Sequence, residues 1–146
     1  MQIQSQFNKS LTIIWIGFIT GLLLLIVVAY FVIIPQASST PVEATAFYFI
    51  AVLLAAGGMI GSNFMYQVQV RSAAQLVSPA PERLQSQYIT AIFIKLSLLE
   101  GPGIFSVAAA ILTQQTIFVA LSVGILILMG ISKPSEQQFR NDFLKS

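Results

Sequence analysis

Neither cysteine nor histidine occurs in the chain, and charged side chains make up only 8% of it. The two missing residue types exclude disulfide bonds, cysteine-ligated zinc, iron–sulfur centres, histidine-ligated haem, and catalysis by a thiol or an imidazole. The shortage of charge excludes a water-facing surface, since a soluble domain carries about 25% charged residues. Apolar side chains fill the space instead: 56% of the 146 residues are hydrophobic, and the mean hydropathy is +0.85. A net charge of +2 gives no reason to expect nucleic acid. No cofactor is called for, and no nucleophile–base pair or metal-ligand set is visible, so enzyme activity is not expected. The composition predicts one compact domain, residues 1–146, set in a lipid bilayer.

The apolar residues fall into four runs. The first, Leu11 to Ile34, carries no charge and ends at Pro35. As a helix it would be about 36 Å long, enough for a hydrocarbon core of about 30 Å with some tilt. It is too long for the apolar region of a signal peptide and reads as a retained anchor. The others are Thr45 to Tyr66, Tyr88 to Leu112, and Thr116 to Ile131, the last of them short, with a tight turn at Thr113-Gln114-Gln115. The fold expected is an all-α membrane protein, a four-transmembrane-helix bundle with short loops.

Position matters more than number for the cations. Lys9 precedes the first run, Arg71 and Arg83 lie between the second and third, and Lys133, Arg140 and Lys145 follow the fourth. The segment from Pro35 to Ala44 and the last turn have no lysine or arginine. In a four-span chain all the basic segments share one side, which the positive-inside rule assigns to the cytoplasm. The expectation is a multi-pass protein of a bacterial cytoplasmic membrane with both termini inside. Residues 67–87 then form a polar cytoplasmic loop, with Ser78-Pro79-Ala80-Pro81 as a stiff corner. Residues 133–146 form a cytoplasmic tail. In it Ser135 and Gln138 fit a capping box, and Phe139 and Phe143 share a helical face. This tail is read either as a short helix on the inner membrane surface or as a frayed end.

In the second run Ala51, Ala55, Gly58 and Ser62 recur three or four residues apart, beside Gly57-x-x-x-Gly61; Ala120 and Gly124 do the same in the fourth. Small residues at this spacing let helix backbones approach closely, within the bundle or between copies.

One carboxylate, Glu100, lies at the centre of the third run, followed at once by Gly101-Pro102-Gly103, which interrupts a regular helix and serves as a candidate hinge. Lys95 lies five positions earlier, about 7.5 Å along the axis and about 140° around it, so the two charges point to different faces. Lys95 can snorkel toward headgroups on its four-carbon stem, whereas Glu100 is too deep and too short. Counting along an antiparallel hairpin sets Glu100 level with Gly57 and Gly58, and Lys95 level with Asn63. Ser97 shares the face of Glu100, and Pro102 leaves the carbonyl of Leu98 without its helical donor. Burial disfavours the charged form of an acid, so Glu100 is expected to be neutral at rest, facing other protein. Glu100, Ser97, Gly57 and Gly58 are thus the ion-binding candidates, with Lys95 and Asn63 as a second polar pair.

The stretch Pro81-Glu82, a long apolar helix, and then Glu100-Gly101-Pro102-Gly103-Ile104-Phe105-Ser106-Val107-Ala108-Ala109-Ala110 resembles the second helix of rotary ATP synthase c subunits. The likeness covers the second and third runs. It implies a proton-carrying Glu100 in a homo-oligomer or larger complex. It implies protons rather than sodium, because sodium-type members add side-chain oxygens beside the acid and Gly101 offers none. The chain departs from that family in its short glycine ladder, its bulky Phe64-Met65-Tyr66, its Lys95 and its outer runs. Two functions follow as expectations. One is a small membrane subunit handling protons or cations at Glu100; the other is a non-catalytic structural or assembly subunit of a larger membrane complex.

Overall fold

A computed structural model describes residues 2–34, 42–75 and 80–143, and it is helical throughout, without strands among the described residues. Helix α1 is Gln2–Val28 and continues into a π-helical stretch, Ala29–Ile33. Helix α2 is Thr45–Ala74, α3 is Pro81–Thr113, α4 is Thr116–Ile131 and α5 is Glu136–Phe143. Three of these (the α1 stretch Phe7–Val32, α2 and α3) are long and apolar enough to cross a membrane. Helix α4, at 16 residues, spans about 24 Å, and α5 bends away from it by 72°. The expected stops at Pro35 and Ser78-Pro79, and the last cation Lys145, lie outside the described residues.

The expected loop over residues 67–87 is corrected. Helix α2 runs on to Ala74 and α3 begins at Pro81, so the connection is confined to residues 75–80. The sequence there is polar, but Tyr66, Ala73, Leu84 and Tyr88 recur on the inward faces and are buried. Pro81 opens α3 at its first turn, where a missing N–H costs nothing. At 30 and 33 residues, α2 and α3 are about 45 and 50 Å long, well beyond a hydrocarbon core of about 30 Å. Their excess lies at the end that holds both termini.

The tail is a short helix, one of its two readings, but its placement is corrected. Residues 136–143 form a helix, and Ser135 Oγ accepts from the Gln138 N–H at 3.2 Å. Its aromatic face is turned into the bundle. Phe139 lies 5.0 Å from Phe7 and 5.3 Å from Tyr88, and Phe143 5.4 Å from Tyr88, between ring centres. The Tyr88 hydroxyl donates to the Ser135 carbonyl at 3.2 Å, and the Asn8 amide donates to Glu136 at 3.1 Å. An aromatic plug of this kind buries area that a surface helix would give to lipid headgroups.

Helix α3 is the centre. The most apolar stretch of α3 is 50% buried, against 17% for α1 and 11% for α2, and α3 packs against α1, α2, α4 and α5. The α3–α4 turn places Gln114 in the left-handed region, at φ 54°, and the Thr113 hydroxyl donates to the Ala109 carbonyl at 2.7 Å. Against α4, the Ser122 hydroxyl reaches the Gly103 carbonyl at 3.1 Å. Against α1, the Trp15 indole N–H donates to the Met129 carbonyl of α4 at 3.0 Å.

The small-residue stripe of α2 packs inside the bundle: Ala51, Gly58 and Ser62 are buried. A Cβ at position 58 would stand 2.6 Å from the Leu98 carbonyl oxygen and 2.8 Å from Pro102 Cγ, whereas nothing lies within 4 Å of one at 57 or 61. Gly58→Ala is therefore expected to destabilise the protein by about 1–3 kcal/mol through overpacking. Gly57→Ala and Gly61→Ala should be neutral or gain up to about 1 kcal/mol of helix propensity. Unfolding of the three variants in detergent checks the order.

Candidate functional site

Pro102 sets the geometry around Glu100. Its ring removes the donor for Leu98, and both the ring and the freed carbonyl face α2 at Gly58. Residues two apart on a helix are about 200° apart around it, so fixing Leu98 and Pro102 toward α2 turns Glu100 away. The expected juxtaposition of Glu100 with Gly57 and Gly58 is absent: the level is right and the face is not. Instead Glu100 lies against α1, where its Oε1 stands 3.7 Å from the place a Cβ on Gly21 would take.

The groove around Glu100 is shallow and lies between α1 and α3. Ile13, Ile14, Gly17, Phe18 and Phe93 complete its lining, all of them apolar or glycine. Glu100 is half-buried there, and it makes no hydrogen bond or ion pair among the described residues. Ser97 forms no hydrogen bond to it either. Gly101 faces outward with open space around it, whereas Gly103 is buried against Leu22. The Gly-Pro-Gly segment stays helical, so the expected hinge is a continuous stretch of α3.

The second polar pair is brought together. Lys95 and Asn63 line one small cavity, with Ser62 and Ser132. The Lys95 ammonium stands 5.3 Å from the ring centre of Tyr66, whose hydroxyl donates to Asp142 at 2.6 Å. This chain of contacts ties α3 through α2 to α5. Tyr66, Tyr88, Asp142, Gly17 and Gly21 are not among the site residues that the sequence suggests. The spacing Gly17-x-x-x-Gly21 was the available signal for the α1 groove. Nothing local announced the Tyr66–Asp142 bond, which joins residues far apart in the chain.

Among the described residues no group of three or more metal-ligating side chains occurs. No protein-family model matches the chain, and no curated protein or solved structure matches it either.

The two features should respond differently to truncation. Phe139→Ala removes the centre of the aromatic plug and is expected to cost about 3 kcal/mol. Glu100→Gln breaks no bond among the described residues and should change the stability of the isolated protein by less than about 0.5 kcal/mol. Parallel thermal melts in detergent make the comparison.

Proposed function

We propose that the chain is a small multi-pass subunit that joins a larger membrane assembly, with Glu100 as its polar contact to a partner helix. The observation that carries this reading is an acid at mid-helix depth, half-exposed and without a hydrogen bond or ion pair among the described residues, in an apolar groove beside Gly17 and Gly21. A carboxylate at the bilayer centre costs about 2.5–3.5 kcal/mol on insertion scales, and a donor from another helix offsets that cost. Gly17 and Gly21 let such a helix come close. A second copy would set acid against acid, so a partner of different sequence bearing a lysine, arginine or amide is favoured.

The rival reading is proton handling at Glu100, as the c-subunit resemblance implies. It draws support from the same groove, which opens Glu100 to the bilayer. The apolar lining speaks for assembly, because a proton path needs polar groups in sequence along it.

The orientation we propose has four spans and both termini in the cytoplasm. Lys9, Arg71, Arg83, Lys133 and Arg140 belong to the end of the bundle held together by Phe7, Tyr88 and Phe139, and Glu43 belongs to the other.

Two experiments test these statements. The chain lacks cysteine, so single-cysteine variants report cleanly. In intact cells an impermeant maleimide should label Thr116→Cys and leave Ser135→Cys unlabelled, and the reverse pattern would overturn the orientation. Glu100→Gln should strip the partner from the complex isolated in mild detergent and leave proton flux in liposomes unchanged. Loss of flux with the complex intact would transfer the assignment to proton handling.

A further inference from the structure

A second groove runs along the opposite side of α3, where α2 and α4 stand apart. Leu99 and Pro102 form its floor, with Ala55 and Met59 of α2 on one wall and Ala120 and Gly124 of α4 on the other. It encloses about 360 Å³ and is apolar along its length. At the end nearer the termini it adjoins a cavity of about 130 Å³, with Met59, Leu99 and Leu128 lining both. There the lining changes to Ser62, Asn63, Lys95 and Ser132.

Three of the four donor-bearing side chains of this polar end have no hydrogen bond or ion pair among the described residues. The Asn63 amide and the Ser132 hydroxyl make no hydrogen bond among the described residues. Lys95 makes no ion pair there and meets only the Tyr66 ring, with Asp142 acting on it electrostatically from beyond that ring. Ser62, by contrast, already donates to the Met59 carbonyl at 2.9 Å. Depth places the donors together. Measured from the far ends of their helices, Asn63 and Lys95 lie about 27 Å down α2 and α3, and Ser132 about 24 Å down α4. A hydrocarbon core of about 30 Å therefore puts all three at its boundary with the headgroups.

We propose that this groove binds one anionic phospholipid of the leaflet on the termini side. An acyl chain lies between α2 and α4 over Pro102, and the phosphate is held by Lys95, Asn63 and Ser132. The charge fits: a basic site between helices at headgroup depth recognises a lipid phosphate. The shape fits as well, since Ala55, Ala120 and Gly124 leave room where larger side chains would close the gap. The site is separate from the Glu100 groove and takes only its orientation from the proposed function.

Native mass spectrometry of the detergent-purified chain, titrated with phosphatidylglycerol or phosphatidylcholine, tests the proposal. The expected result is one retained phosphatidylglycerol, with a preference over phosphatidylcholine of roughly five- to tenfold. Lys95→Gln should remove the preference and Lys95→Arg should keep it. Gly124→Leu fills open space and should weaken retention of both lipids alike. Matching melting temperatures show that the variants remain folded. Glu100→Gln should leave lipid retention unchanged, so loss of the partner and loss of the lipid are read separately. An unaltered preference in Lys95→Gln, unaltered retention in Gly124→Leu, or a dimer occupying the groove would overturn the proposal.

Discussion

Proline 102 inside α3 creates a problem that hydrocarbon makes severe. The carbonyl of Leu98 loses its helical donor, and no water is available to replace it. The bundle answers with proximity. Gly58 brings the α2 backbone against that carbonyl and against the proline ring, so closely that a single added carbon would stand 2.6 Å from the oxygen. This contact fixes how α2 and α3 are rotated against each other. The rest follows from it: the side of α3 given to α1, the gap between α2 and α4, and the direction in which each charged side chain of α3 points.

Lys95 and Glu100 show how depth and stem length separate two charges on one helix. Lys95 lies where its stem can carry the ammonium to the headgroup boundary, and there it meets the Tyr66 ring and other donors. Its ammonium faces that ring, with Asp142 held on the ring's hydroxyl beyond it. Glu100 sits about 7.5 Å deeper and on another face. It lies beside Gly17 and Gly21 and makes no hydrogen bond among the described residues. Depth and stem length thus put one charge among polar groups near the headgroups and leave the other against an apolar groove.

What the sequence disclosed, and what it hid, divides along one geometric line. Helical rise is constant, so counting residues placed Lys95 level with Asn63 and Glu100 level with Gly58, and the structure keeps both levels. Rotation about the axis was not legible. In a soluble helix the polar face marks the outside, but α2 and α3 are apolar toward both lipid and protein, so hydrophobic periodicity carries no direction. Counting alone therefore points Glu100 at α2, whereas the Leu98–Pro102 face occupies that side. The polar stretch from Gln67 to Gln87 misled in the opposite sense. Its glutamines and arginines mark helix that has left the hydrocarbon, and Tyr66, Ala73, Leu84 and Tyr88 keep it packed there. The α5 plug was half legible: the shared face of Phe139 and Phe143 was visible, but its acceptors, Phe7 and Tyr88, are distant in sequence.

The helical projection beyond the membrane gives α5 its purpose. Without a partner, the ends of α2 and α3 would expose Tyr66, Leu84 and Tyr88 to water as a two-helix hairpin too small to bury them. The N-terminal turns of α1 supply Phe7 and Leu11, and α5 supplies Phe139 and Phe143, closing a small apolar core over the polar cavity. The Tyr66 hydroxyl bonds to Asp142 while its ring meets Lys95, so one side chain joins this outer core to the charge beneath it. Displacing α5 therefore changes the surroundings of Lys95. The two ends of the chain, which look like tails in the sequence, complete the site that the central helix begins.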